Sequence, residues 1–377
     1  MAGWLGKARR MVEGFFDTLF PKSRVIVSPA MRTRLEEHPV QVIDVGGAMG
    51  PDTRWNPLRP TLSRFMIFEP DARSQDEIAD ASGSGDLTLP VGLADEAGER
   101  KLYLTRGPFA SSLYKPNEDV LRNFSVWTWY EPAGEACIQV DTLDACIARH
   151  PAWRADFIKV DVEGANLDVL KGAPCTLEQA FGVQIEVSFM ARNHGAPLQP
   201  EVDAWLRDVG FTPHQLVQER WVRANGVFGA LSQPQIAWAD AVYFRSREWV
   251  LERLASNAST KEAADRLTSI VALLLVYGAH DYAAELVSAA RQKCLVDTIA
   301  ADDLDTSIKR SVMTLTPFTI RGIVALTFAM LLAVPLLILG ARGSSVGRSL
   351  VAEQAGPLFH ALARAARRGG PDGGALL

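Results

Sequence analysis

Between Glu36 and about Arg247 the chain alternates short apolar runs with stretches of helical spacing, the pattern of an α/β sheet domain. The apolar runs predict strands over Val40–Val45, Arg64–Phe68, Leu87–Leu93, Leu102–Thr105, Phe157–Val162, Gly182–Val187 and Ala239–Phe244. Several are apolar throughout rather than alternating, as expected of strands covered by helices on both faces. Leu167–Leu170 and Val202–Leu206 fall in helical patterns between them. Residues 248–300 predict a helical appendage built from Trp249–Ala255, Lys261–Val276 and Tyr282–Cys294. Ser269–Gly278 is very apolar but too short to cross a bilayer, and reads as a core helix.

Beyond the appendage, Asp302, Asp303 and Asp305 open an expected polar linker over 301–321. Residues 322–341 then read GIVALTFAMLLAVPLLILGA, without one charge, between Arg321 and Arg342. As a helix rising about 1.5 Å per residue they would cover about 30 Å, so they predict a membrane helix in which Pro335 is tolerable. Lys309, Arg310 and Arg321 before the run and Arg342 and Arg348 after it leave its orientation open. Residues 342–377 form a tail rich in Arg, Gly and Ala. At the other end, Trp4, Leu5, Met11, Phe15, Leu19 and Phe20 recur at helical spacing, so residues 1–35 read as an N-terminal helical segment.

A chain of 377 residues with 48% hydrophobic content supports a sizeable core as well as these added segments. With 39 basic against 44 acidic side chains the net charge is -5, which argues against a nucleic-acid partner. Cys137, Cys146, Cys175 and Cys294 form no CxxC pair and have no His at ligand spacing, which disfavours a disulfide framework and structural zinc. A reducing compartment follows, and the expected placement is membrane-associated with the main domain in the cytoplasm. No metal is expected, because no Asp/His cluster has ligand spacing.

Two motifs carry chemistry. In Val42–Gly50 an apolar strand runs into a Gly-rich turn, where missing side chains let a ligand approach the backbone. The spacing is D-x-G-x-x-x-G from Asp44; Val45 stands where a dinucleotide fingerprint would need glycine, which disfavours a nicotinamide-dependent oxidoreductase. Glu69 follows Gly50 by 19 residues at the end of the run Phe65–Phe68, where a carboxylate can accept two hydrogen bonds from a ribose diol. In Asp156–Ala173 a strand ends at Asp161 and Glu163 and turns into a helix, which puts both acids at the carboxyl edge where open sheets bind ligands. Glu186 ends another strand at that edge, and a salt bridge to Lys159 or Arg192 is its structural alternative.

Asp44–Gly50, Phe68-Glu69-Pro70, Gly92–Asp95 with Gly98, Ser111-Ser112-Leu113, Val140–Asp144 and Ile158–Ala173 occur in an order that resembles the FkbM-type S-adenosylmethionine-dependent methyltransferases over about residues 38–246. The resemblance implies a class I methyltransferase (Rossmann-like) doubly wound sheet over 36–247 and methylation of a hydroxyl, often on a sugar or a secondary metabolite; a glycolipid or lipid-linked glycan as acceptor would also account for the membrane segment. By position it implies that Asp44, Gly46, Gly47 and Gly50 form the cofactor turn, that Glu69 holds the ribose, that Asp95 lies toward the adenine, and that Asp161 and Glu163 face the methyl-transfer region. Three departures accompany it: Ala48 in place of asparagine, Asn166 in place of glutamate, and Pro51, Pro57 and Pro60 where a first helix would run.

Asp161 is the first choice for the base that takes the hydroxyl proton, with Glu163 and Glu186 next and His194 and His214 as alternatives. Ser111, Ser112, Tyr114 and Lys115 sit in a loop suited to acceptor contacts; Trp127, Trp129 and Tyr130 suit either a sugar ring or the core edge. The expected partners are a hydroxyl-bearing acceptor and, through 322–341, membrane lipid. A membrane scaffold that keeps the fold without activity is the competing reading, motivated by Ala48 and the prolines.

Overall fold

A computed structural model describes residues 25–48, 50–83, 85–226, 232–257 and 259–313. Residues 1–24 of the expected N-terminal segment over 1–35, and the whole of 322–341 and 342–377, lie outside these residues. Among the described residues no helix is long and apolar enough to cross a membrane.

The centre is a seven-stranded sheet of β1 (Val40–Val45), β2 (Ser63–Phe68), β3 (Leu87–Leu89), β7 (Phe157–Val160), β8 (Gly182–Ser188), β9 (Phe211–Trp221) and β10 (Gln235–Arg245), in the order β3-β2-β1-β7-β8-β10-β9. The first five in that order are parallel, and β10 runs antiparallel to both β8 and β9. A second sheet, β4 (Gly92–Leu93), β6 (Pro132–Asp141) and β5 (Gly98–Thr105), is inserted between β3 and β7. The run expected as one strand over Leu87–Leu93 is thus two strands in two sheets. Pro90, which has no N–H to donate, stands where the ladder changes hands. Two strands are absent from the apolar pattern. β9 is exposed along nearly its whole length and β6 along most of it, so neither required buried alternation.

One face of the main sheet carries α3 (Leu143–Ala148), α4 (Asn166–Lys171), α5 (Pro174–Gln179) and α6 (Gln199–Asp208), packed around Ile43, Val45, Ile158, Val160, Ile185 and Val187. The opposite face is covered differently. Between β1 and β2 the three prolines leave only a 3-10 turn at Thr53–Trp55, so the short or displaced first helix expected from the sequence is what occurs. The missing cover comes from both ends of the domain: α1 (Pro29–Glu37), α7 (Arg247–Ala255), α8 (Thr260–Val276), α9 (His280–Gln292) and α10 (Thr298–Met313) form one core with Val40, Val42, Trp55, Phe65, Phe157 and Phe244.

Two domain expectations change here. The helices after 247 are not an appendage; they share a hydrophobic core with the sheet and belong to its compact unit. α8 is buried on all sides from Leu267 to Leu275, as only an internal helix can be. The linker expected from 301 is helix as far as Met313. Ala300, Ala301, Leu304 and Ile308 recur at helical spacing and are buried, while Asp302 and Asp305 pair with Arg291 and Asp303 accepts from Ser28. A run of aspartates read alone looks like a linker; one partner, Ser28, lies 275 residues away in the chain.

Candidate active site

Strand alternation and register assemble the site on the helix-bundle face. Val40, Val42 and Asp44 of β1 point to that face, as do Phe157 and Lys159 of β7 and Gln184 and Glu186 of β8. The row is apolar at the amino ends of the strands, under the helices, and polar at the carboxyl ends. Register sets Asp44 beside Lys159 and Lys159 beside Gln184. Lys159 Nζ accordingly donates to Asp44 Oδ1 at 3.0 Å and stands 3.8 Å from Asp161. Burial alone would lower the ammonium, but Asp44 and Asp161 outweigh it and hold Lys159 charged, above its ordinary value. Burial raises the Asp44 carboxyl, with Lys159 opposing the rise.

A cleft of about 480 Å³ opens at this edge, and Gly46, Gly47, Gly50, Glu69, Asp161, Glu163 and Glu186 all line it. Gly46 has φ +82, and a Cβ there would fall 1.8 Å from the Asp161 carbonyl oxygen; Gly50 has φ +71, and its Cβ would fall 2.4 Å from Ala81 Cβ. Only glycine fits either position, and the bare backbone they leave is a cradle for a ligand. Glu69, 7% exposed at the end of β2, accepts from the Asp71 N–H at 2.8 Å. Burial, partly countered by that bond, pushes its carboxyl up to about 7. Asp71 itself grips Arg73, which also donates to the Thr105 carbonyl at 3.0 Å and ties β2 to the inserted sheet. Ala48 lines the cleft where an asparagine was expected, and the proline segment borders the cleft at Pro51 without closing it.

Also lining the cleft, Asp161, Glu163 and Glu186 bring carboxylate oxygens within 4.8 Å of one another. The Arg192 side chain is wholly buried between two of them: Nη1 donates to Glu163 at 3.0 Å, and Nη2 to Glu186 and to Ser188. The guanidinium engages one oxygen of each acid, Oε2 of Glu163 and Oε1 of Glu186. Burial raises both carboxyls and Arg192 lowers them; the net effect pushes Glu163 up to about 7 and Glu186 well above its ordinary value. Glu163 adopts φ +52, a left-handed conformation that costs a non-glycine residue about 1–3 kcal/mol. Arg192 on its side chain and Ser112 Oγ on its carbonyl, at 2.7 Å, hold it there. Asn166, in the place of a glutamate, accepts from Val162 N at 2.7 Å and donates to the Glu186 carbonyl at 3.0 Å, locking the ends of β7 and β8 together.

Two predicted site residues are elsewhere. Asp44 does not line the cleft: it is 1% exposed and reaches the site only through Lys159. Asp95 is exposed outside the cleft, which Val91, Gly92 and Leu93 line at that point. Of the loop candidates, Ser111 and Ser112 line the cleft, while Tyr114 turns away to donate to Asp168 at 2.7 Å. His194 and His214 are exposed and away from it. Tyr130 lines the cleft and packs against Trp221. Lys159 and Arg192, read from sequence only as salt-bridge partners, prove to be the cations that organise the site. Lys159 is placed by pairing across strands, whereas Arg192 lies in the bend after β8 and folds back on Glu186, six residues earlier, and onto Glu163.

Residues 51–213 match the Methyltransferase FkbM domain. The chain is 25% identical over 178 residues to the 2-O-methyltransferase NoeI of Sinorhizobium fredii (strain NBRC 101917 / NGR234), covering 45% of this chain and 71% of the relative. Among solved structures it resembles a Burkholderia thailandensis 1,6-didemethyltoxoflavin-N1-methyltransferase, with a TM-score of 0.29, 13% identity, and coverage of 63% of this chain and 87% of that one. TrmK of M. capricolum gives a TM-score of 0.26 at 6% identity, over 78% and 100% of the two chains. The glycine cradle and the strand-end acid at Glu69 are the parts that suit an adenosyl cofactor. Residues 51–213 are therefore an FkbM-type domain, and the chain that carries them is an S-adenosylmethionine-dependent methyltransferase.

Proposed function

We propose that the protein methylates a hydroxyl oxygen on a glycan, glycolipid or related polyhydroxylated metabolite. The observation that carries this reading is one cleft lined both by the Gly46–Gly50 cradle and Glu69 and by three clustered carboxylates. The 2-O-methyltransferase relative supports oxygen as the atom methylated. When bound, the cofactor supplies an activated methyl on a positively charged sulfur. The protein's part is to hold the acceptor oxygen in line with that methyl and to accept its proton. Gly46, Gly47, Gly50 and Glu69 would hold the cofactor.

Asp161 is the proton acceptor in this reading. Its side chain is 37% exposed toward the cleft, whereas Glu163 and Glu186 are committed to Arg192. Membrane attachment through 322–341, with the domain on the cytoplasmic side, belongs to the same proposal; its support is the uncharged sequence of that run.

The test is transfer of labelled methyl from S-adenosylmethionine to membrane and polysaccharide extracts. Asp161→Asn should lower turnover by about 100-fold or more while leaving S-adenosylhomocysteine affinity within about threefold. Wild-type turnover in Asp161→Asn would remove Asp161 as the base. Label that never enters a methyl ether would end the hydroxyl reading.

A further inference from the structure

We propose that Phe109 and Trp129, at the rim of the cleft, form a platform for a pyranose ring of the acceptor, an inference that rests on the hydroxyl-acceptor reading above. Both rings are large and apolar, yet they stand 45% and 53% exposed, with centroids 5.7 Å apart and planes tilted by 49°. Phe109 lines the cleft directly. Rings left in water on a mobile loop would mean little; these two are held. Gly107 N donates to the Trp129 carbonyl at 2.9 Å and Arg106 N to the Glu131 carbonyl at 2.9 Å, stitching the Pro108–Ala110 turn to the Trp127–Tyr130 turn. A Cβ at Gly107 would sit 3.1 Å from the Phe109 ring and 3.3 Å from the Trp129 carbonyl, so this close packing depends on glycine.

The anchoring of the rings ties the platform to the groups that hold the carboxylates. Ser112, three residues after Phe109, donates to the Glu163 carbonyl, and Tyr130, next to Trp129, accepts from Arg192, the partner of Glu163. A ligand lying against Phe109 therefore shares one cleft with the carboxylates of Asp161 and Glu163. Apolar ring faces beside hydroxyl and carboxylate groups match a pyranose, which presents C–H groups on one face and hydroxyls around its rim. An acyl chain would gain from the rings but would leave the carboxylates beside it without partners.

The experiment is saturation-transfer NMR on the full chain in a detergent without sugar, loaded with S-adenosylhomocysteine. The probes are the methyl glycosides of glucose, galactose, mannose and N-acetylglucosamine. At least one should receive saturation mainly on the C–H protons of one ring face. Its affinity should fall about tenfold in Trp129→Ala and further in F109A/W129A, the size expected for losing an aromatic anchor. Unchanged S-adenosylhomocysteine affinity in both variants shows that they remain folded. If no glycoside receives saturation, or F109A/W129A binds the glycoside as the wild type does, the platform is refuted. It is equally refuted if the double variant loses binding to phosphatidylglycerol vesicles but keeps glycoside binding. The two readings can fail separately. Hydroxyl methylation of a non-carbohydrate acceptor at wild-type rate in F109A/W129A sinks the platform alone. Glycoside binding through the rings, with label never entering a methyl ether, sinks the hydroxyl chemistry alone.

Discussion

Glu69 carries two opposite pH dependences. Its carboxyl titrates near its ordinary value of 4.5 in the unfolded chain and at about 7 in the fold, where burial disfavours the charge. Between those pH values the unfolded chain has released a proton that the fold still holds. Stability is therefore greatest below the lower value and falls as pH rises through the window, by at most about 3 kcal/mol. Cofactor binding runs the other way, because a ribose diol donates to the carboxylate and not to the acid. Calorimetry should show S-adenosylhomocysteine affinity rising between pH 6 and pH 8, roughly tenfold at most. Glu69→Gln should bind more weakly and lose that slope; a slope that survives in the variant would take Glu69 out of the ribose site. The glycines and strand-end acids of this cleft were legible as residues, because strand, turn and acid are contiguous in the chain. Asp44 was misplaced for a physical reason: it shares a face with the cleft-lining Lys159 and Glu186 but is buried, and it takes the Lys159 ammonium instead of meeting the cleft. Its partner lies 115 residues away, and no local pattern announces it.

α8 shows what the elements contribute. Ser259 caps it by accepting from Glu262 N, and Ala263, Leu267, Ile270, Val271 and Leu274 fill the space beneath the sheet that the proline segment leaves open. Leu267→Ala removes a wholly buried side chain and should cost about 2–5 kcal/mol, read as a shift in the urea midpoint with little change in slope. Truncation after Arg247 should be worse still, leaving Val40, Val42, Phe65, Phe157 and Phe244 uncovered and the product aggregated. A soluble truncated domain that binds S-adenosylhomocysteine would show instead that the helices are a separate appendage. The helices themselves followed from apolar spacing; their place did not, because periodicity says which side of a helix is apolar and nothing about what it covers.

For the molecule as a whole, the proposed attachment through 322–341 predicts that the full chain sediments with membranes and that a chain ending at Met313 does not. Recovery of the full chain in the soluble fraction after high-salt washing would contradict that attachment. The α/β class, most strand positions, the glycine cradle, Glu69 and the carboxylates at 161, 163 and 186 could be read from the chain, since each depends on residues close together along it. The helix bundle that replaces a first helix, the helix at Thr298–Met313, the Arg192 pairing and the exposed Phe109–Trp129 rim were decided only by the tertiary structure. The physical reason is range. Backbone preference and apolar period act over a few residues, whereas burial and charge pairing act between groups that only folding brings together.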